Sequence, residues 1–245
     1  MARRKTRLQI EASPKRVRGA LDGRMVVDSS DVLLVWEHPF YPHYYFPKGA
    51  VTARLEPAGT FDPGHGLGEA ERFDVISPSG RRVEGAAWCY SGVDEVRSHV
   101  RFEWSALDTW FEEDEVVIVH PRSPYVRVDT LGSSREVRVD FRGTTIANSR
   151  RAVFLFETGL PTRFYVPQTD VRLDVIRPSE TRTSCPYKGH AEHVSVELDG
   201  KTHADVGWTY PTPLREAMLV AGMIAFDHDK CTVSVDGVRV EGRRS

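Results

Sequence analysis

The chain has 245 residues, with 33 basic and 35 acidic side chains, three cysteines and 40% hydrophobic residues. That composition, with a net charge of −2, excludes a disordered chain and fits a soluble globular protein. The longest apolar stretch, Ala217 to Phe226, spans ten residues, about half of what a bilayer-spanning helix needs.

The N-terminal segment carries Arg3, Arg4, Lys5, Arg7, Lys15, Arg16 and Arg18. No hydrophobic run follows it, so a secretory signal is not expected. Residues 1–14 read as a solvated basic tail. The near-neutral chain shows no basic face for nucleic acid. Short β-branched or aromatic runs come next, each bounded by Gly, Pro, Asp or Ser: Met25 to Val27, Val32 to Trp36, Tyr44 to Phe46, Val116 to Val119 and Val153 to Phe156. Asp22-Gly23, Asp199-Gly200 and Asp236-Gly237 stand between such runs and predict tight hairpins. Helical signals are few. Ser105 with Asp108 three residues on predicts a short helix through Phe111, and Pro213 to Ala217 predicts a second. Glu112-Glu113-Asp114-Glu115 reads as an exposed helix end or turn.

A shift of 120 positions aligns Arg16 to Pro57 with Glu136 to Arg177 without a gap. Eight of those 42 positions are identical, among them Glu37/Glu157, Tyr45/Tyr165 and Pro47/Pro167. Unrelated sequences of average usage would share roughly two or three. Trp88 and Tyr90 meet Trp208 and Tyr210 at the same offset. This is a duplication. The expected organisation is a first β domain over 15–125 and a second over 126–245. The second copy gains about four residues around Pro211 to Leu214, and the first about nine at Ser105 to Glu113. Cys185-Pro186-Tyr187-Lys188-Gly189 has no counterpart in the first copy, where the matching stretch reads His65-Gly66-Leu67-Gly68-Glu69.

Phe156-Glu157-Thr158-Gly159-Leu160-Pro161-Thr162-Arg163-Phe164-Tyr165-Val166-Pro167, with Thr183-Ser184 and the Cys-Pro-Tyr-Lys-Gly loop, resembles the bacterial family known as domain of unknown function 427. Trp208-Thr209-Tyr210 and Ala225-Phe226 follow in family order. The likeness runs from about Lys15 to the C-terminus and is nearest to actinobacterial members that carry the domain twice. The first copy departs from the pattern at the Cys-Pro-Tyr-Lys loop, so sites in the two copies are not taken as equivalent. The resemblance implies two tandem copies of a compact, mainly β domain, an antiparallel two-sheet, tent-like sandwich with one or two short helices each. Relatives of that architecture are often pinned by zinc through two Cys-x-x-Cys pairs, and this sequence has none. The family also carries a nucleotidyltransferase-like label, but no catalytic motif for that chemistry is present.

Several residues of the second copy could carry chemistry. Cys185 lies near Lys188 and His190, and cationic neighbours stabilise a thiolate nucleophile. Cysteine is also among the residues most often simply buried. Tyr187 and Lys188 are candidate ligand contacts. Glu157 ends an apolar strand, where partial desolvation would suit proton transfer. Arg163 and Tyr165 share a strand face. With Glu157 they either frame a pocket mouth or make a structural ion pair. Trp208 and Tyr210, with Tyr165, are either a pocket wall or core packing.

His190 and His193 sit beside Glu192, but no second pair completes a metal site, so no metal and no other cofactor is expected. Cys89, Cys185 and Cys231 are odd in number and far apart, which speaks against a disulfide framework and for the cytoplasm. The favoured reading is a bacterial protein, monomeric or weakly dimeric, that binds an unidentified small molecule in a pocket of the second copy. No nucleic-acid or membrane partner is expected. The alternatives are an enzyme using Cys185, Lys188 and Glu157, and a protein-interaction module built on sheet edges or aromatic patches.

Overall fold

The structure is a computed structural model describing residues 8–64 and 67–241. The basic side chains Arg3, Arg4, Lys5 and Arg7, and His65 with Gly66, lie outside the described residues. The chain divides into two units, Met1–Ser123 and Pro124–Ser245.

Each unit holds a seven-stranded and a four-stranded antiparallel sheet. In the first, the large sheet runs in spatial order Gln9–Ser13, Val32–Trp36, His43–Pro47, His99–Phe102, Arg82–Tyr90, Ala70–Ile76 and Arg54–Phe61. In the second, the same places are taken by Val128–Gly132, Val153–Glu157, Arg163–Val166, Ile224–Phe226, Lys201–Thr209, Gly189–Leu198 and Ile176–Cys185. The small sheets match as well. Arg24–Ser29, Val17–Leu21, Thr109–Glu112 and Glu115–Val117 correspond to Thr144–Ser149, Val137–Phe141, Thr232–Val235 and Val238–Arg239. The duplication read from the 120-residue offset is therefore a duplication of topology.

The hairpin turns follow from backbone chemistry. Asp22-Gly23, Asp199-Gly200 and Asp236-Gly237 each place two successive residues at positive φ, the geometry that matches the twist of the strands they join. Arg142-Gly143 does the same in the second copy with an arginine where Asp22 stands in the first. Glycine takes the steeper of the two angles in all four turns.

Period-two alternation decides what each sheet face does. In Arg163–Val166, Phe164 and Val166 enter the core between the two sheets with Val137, Val139, Phe154 and Phe226. Tyr165 points the other way, into a second cluster with Leu155, Tyr210, Ala217 and Ala225. The first domain repeats this. Tyr44 and Phe46 join the inter-sheet core, and Tyr45 joins Val35, Trp88 and Tyr90 on the opposite face. The central strands of the large sheet are thus buried on both faces, while the edge strands Arg54–Phe61 and Ile176–Cys185 stay half-buried or exposed. Each fully buried aromatic or branched side chain contributes about 1.5–3 kcal/mol from that burial.

Five expectations need correction. Gln9–Ser13 is not tail but an edge strand paired with Val32–Trp36. Its Leu8 and Ile10 alternate with polar neighbours and pack against the outer-face cluster, a pattern masked by the surrounding basic residues. The helix expected at Ser105 to Phe111 is a single 3-10 turn, Trp104–Ala106, capped by the Glu103 carboxylate, followed by the strand Thr109–Glu112. Trp110 drives this, since it is buried in the inter-sheet core and only a strand alternation reaches it. That stretch is consequently the counterpart of Thr232–Val235 and not an insertion. Glu112 is buried and accepts the Tyr44 hydroxyl and Lys15 ammonium at 2.7 and 2.6 Å, while Glu113 and Asp114 make the turn. The second helix, expected at Pro213 to Ala217, is a six-residue 3-10 segment, Arg215–Val220.

Candidate ligand pocket of the second domain

The outer face of the second domain's large sheet carries a cavity of about 320 Å³. Glu157, Arg163, Tyr165, Lys188, Trp208 and Tyr210 line it. The remaining wall is Leu155, Leu160 and Pro161 on one side, with Thr183 and His193 on another. The volume lies at the lower end of the range for ligand sites, roughly 300–1,000 Å³.

The strand pattern explains how these residues converge. Leu155 and Glu157 share one face of Val153–Glu157, Arg163 and Tyr165 the same face of the neighbouring strand, and Trp208 and Tyr210 that face two strands further on. The fourth element is the Cys-Pro-Tyr-Lys-Gly loop. Cys185 pairs with Gly189, so Pro186, Tyr187 and Lys188 form a tight three-residue hairpin loop. Gly189 sits at φ +97°, a conformation that only glycine adopts without strain. The Lys188 carbonyl accepts the Leu214 amide at 3.0 Å, which fixes the loop against the following segment. Lys188 thereby turns inward, and its ammonium donates to the Glu157 carboxylate. The two side chains are only 11% and 10% exposed.

The aromatic residues are held by polar contacts as well as packing. The Trp208 indole N–H donates to the Tyr165 hydroxyl at 3.0 Å. The Arg163 guanidinium lies over the Trp208 ring, 5.4 Å from its centroid. Burial pushes the phenols of Tyr165 and Tyr210 above their ordinary pKa, with Glu157 and Cys185 nearby acting in the same direction. Both therefore stay protonated at neutral pH. His193 and Thr183 contact each other at 3.0 Å across adjacent strands. His190 faces away, as strand alternation requires, and bonds the Ser184 hydroxyl at 2.8 Å.

Of the eight residues singled out from the sequence, six line the cavity. Cys185 and Tyr187 stand outside its wall. Cys185 is at a strand end and half-buried, and Tyr187 packs against the outer-face cluster with Trp208 and Met223. The other five lining residues, Leu155, Leu160, Pro161, Thr183 and His193, are not among the sequence candidates for the site. Leu160 and Pro161 lie inside the stretch that carries the family resemblance, and His193 was weighed only as a metal ligand. Among the described residues no group of three or more His, Cys, Asp or Glu is placed to hold a metal ion.

The first domain shows the same place in a different state. Glu37, the counterpart of Glu157, has a fully buried side chain. It accepts the Tyr45 hydroxyl and the Arg101 guanidinium, the latter at 2.7 Å. Arg101 also lies over Trp88, 4.2 Å from the ring centroid, and reaches His43 Nδ1 at 3.1 Å. In the second domain the position of Arg101 is Ala225. Arg101 pairs with Tyr45 and Trp88, and Ala225 pairs with Tyr165 and Trp208. Thirteen positions separate Trp88 from Arg101 and seventeen separate Trp208 from Ala225, so the extra four residues fall in the intervening segment, as read from the sequence.

These features define a class: a tandem pair of two-sheet antiparallel β domains, with an arginine at the outer-face position in one copy and an alanine beside a cavity in the other. The model of the family described as Domain of unknown function (DUF427), whose name carries a nucleotidyltransferase-like label, matches residues 9–113 and again 129–240. The chain belongs to that family and carries its domain twice. No curated protein matches it.

Proposed function

We propose that the second domain binds a small molecule, without a metal, in the cavity bounded by Glu157, Arg163, Lys188 and Trp208. The observation that carries this reading is the exchange of Arg101 for Ala225. In the first domain one long side chain spans Glu37 and Trp88 and leaves that place filled. In the second domain the acid and the indole have separate cationic partners, Lys188 and Arg163, with about 320 Å³ between them. Binding is favoured over catalysis because Lys188 and Glu157 spend their charges on each other and Cys185 lies outside the wall. The three free cysteines, two of them buried, fit a reducing compartment, and the protein is assigned to the cytoplasm on that ground. No helix among the described residues is long and apolar enough to cross a membrane.

The test is a fragment screen by ligand-observed NMR on the full chain, run beside the double variant Ala225→Arg, Lys188→Ala. That variant rebuilds in the second domain the arrangement native to the first. Fragments that bind the wild type and are lost from the variant support the reading. Fragments that bind both equally would place binding elsewhere and overturn it.

A further inference from the structure

The polar groups facing the cavity are unevenly matched. Arg163 has five N–H donors, and among the described residues it makes no hydrogen bond or ion pair, only the contact with the Trp208 ring. The Tyr165 hydroxyl accepts from Trp208, and its own proton has no acceptor among the described residues. The Tyr210 hydroxyl likewise has no hydrogen-bond partner among them. Against these donors stands one carboxylate, Glu157, whose charge Lys188 already neutralises. One anionic and two cationic side chains therefore line the cavity, and the unspent groups are donors.

The first domain shows what the same frame does with the opposite balance. There the buried Glu37 carboxylate holds a cation, the Arg101 guanidinium, against the Trp88 face. In the second domain Lys188 occupies the carboxylate. A cationic ligand would then meet Arg163 and Lys188 with no free counter-charge, in surroundings where unpaired charge is costly. An anion would meet a guanidinium and two phenolic O–H groups, the donors that form short charge-assisted hydrogen bonds. Leu155, Leu160 and Pro161 supply the apolar wall for the rest of the ligand.

We propose that the cavity takes a small anion, a carboxylate or phosphate ester on a compact apolar body, with the anionic oxygens on Arg163 and within reach of the Tyr165 and Tyr210 hydroxyls. The proposal rests on the cavity being a binding site and adds the chemical class of its occupant. Its size suits such a ligand, since the volume equals that of about ten waters.

Benzoate and phenyl phosphate represent the two sources of the anion. Benzamidine and benzyl alcohol are the cationic and neutral counterparts of the same ring. Each is titrated into the full chain while the Trp208 indole N–H resonance is followed, assigned by its loss in Trp208→Phe. One or both anions should shift that resonance at concentrations at least about tenfold lower than the other two probes, and the stronger of them names the source. Arg163→Gln should weaken the favoured anion by about ten- to a hundredfold, the range of a lost hydrogen bond to a charged group, and Arg163→Lys should restore part of it. If benzamidine or benzyl alcohol binds as well as the anions, and is lost in Ala225→Arg, Lys188→Ala, the anion assignment fails while the binding site stands. If no probe shifts the resonance at tens of millimolar, both fail.

Discussion

Arg101 and Ala225 stand at the same place in the two domains, each opposite a buried tyrosine on one side and a tryptophan on the other. In the first domain the arginine is 4% exposed and satisfies a carboxylate with no exposure at all. In the second the methyl group leaves room, and the acid is satisfied from a different direction by Lys188. A buried carboxylate must have a cation in either arrangement. The two copies thus meet one electrostatic requirement in two ways, and in the second a cavity lies beside the ion pair.

Removing Arg101 tests the first arrangement. Arg101→Met takes the guanidinium away from the buried Glu37 carboxylate, which keeps the Tyr45 hydroxyl and the His43 imidazole 3.6 Å away, at a cost of about 3–5 kcal/mol. Hydrogen exchange should speed up through the first domain's large sheet and leave the second domain's amides unchanged. Adding Glu37→Gln removes the stranded charge and should recover most of the protection.

The second arrangement depends on Lys188 in the same way. Lys188→Ala strands Glu157, and the second domain should lose about 3 kcal/mol, read from exchange of its own sheet amides. The pair Lys188→Met, Glu157→Gln should restore stability while altering the cavity's charge only at the ion pair, because Arg163 keeps its own. A single variant as stable as the wild type would mean that water already reaches Glu157.

Gly189 is where the loop geometry can be broken with least change in chemistry. An alanine there must adopt φ +97° with its Cβ 3.4 Å from the Leu214 nitrogen, a strain of about 1–3 kcal/mol. The expected result of Gly189→Ala is a lowered second-domain stability together with weakened ligand binding, since the loop that carries Lys188 shifts. The same loss of stability with unchanged binding would separate the loop from the site.

Acid sensitivity should come from His228. Burial, with a smaller contribution from Arg163, lowers its pKa to about 4 from an ordinary 6.5. The unfolded chain therefore takes up a proton between those values that the folded domain refuses, so stability is complete above about pH 6.5 and falls as the pH drops toward 4. His99 and His120 are shifted down by burial too and act with the same sign in the first domain. His228→Phe keeps a ring stacked on Phe164, which His228 meets at 5.6 Å and 16°. Denaturation midpoints at pH 7 and pH 5 should lie closer together in that variant, for the second domain only.

Much of this was legible in the residues because it rests on local rules. Three Asp-Gly pairs marked hairpins, period-two alternation put Arg163 beside Tyr165, and the 120-residue offset set Glu157 against Glu37. Arg101 was not legible. Its role follows from pairing with Trp88 across the sheet, and the four-residue difference in the intervening segment moves Ala225 out of the offset that aligns the tryptophans. Thr109 to Glu112 misled for another reason. A serine cap and a short polar-apolar pattern suit a helix or a strand, and only burial of Trp110 decides between them. Cys185 drew attention as the one cysteine in a motif. The motif's work, in the geometry seen here, falls to Lys188 and Gly189.

The central claim is that the outer-face site is open in the second domain and closed in the first. It is tested most directly by following the indole N–H resonances of Trp208 and Trp88 in one titration of the full chain with benzoate or phenyl phosphate, each signal assigned by its Phe variant. The Trp208 signal should shift and saturate, and the Trp88 signal should stay in place. Equal shifts at both, or a saturating shift at Trp88 alone, would contradict the account.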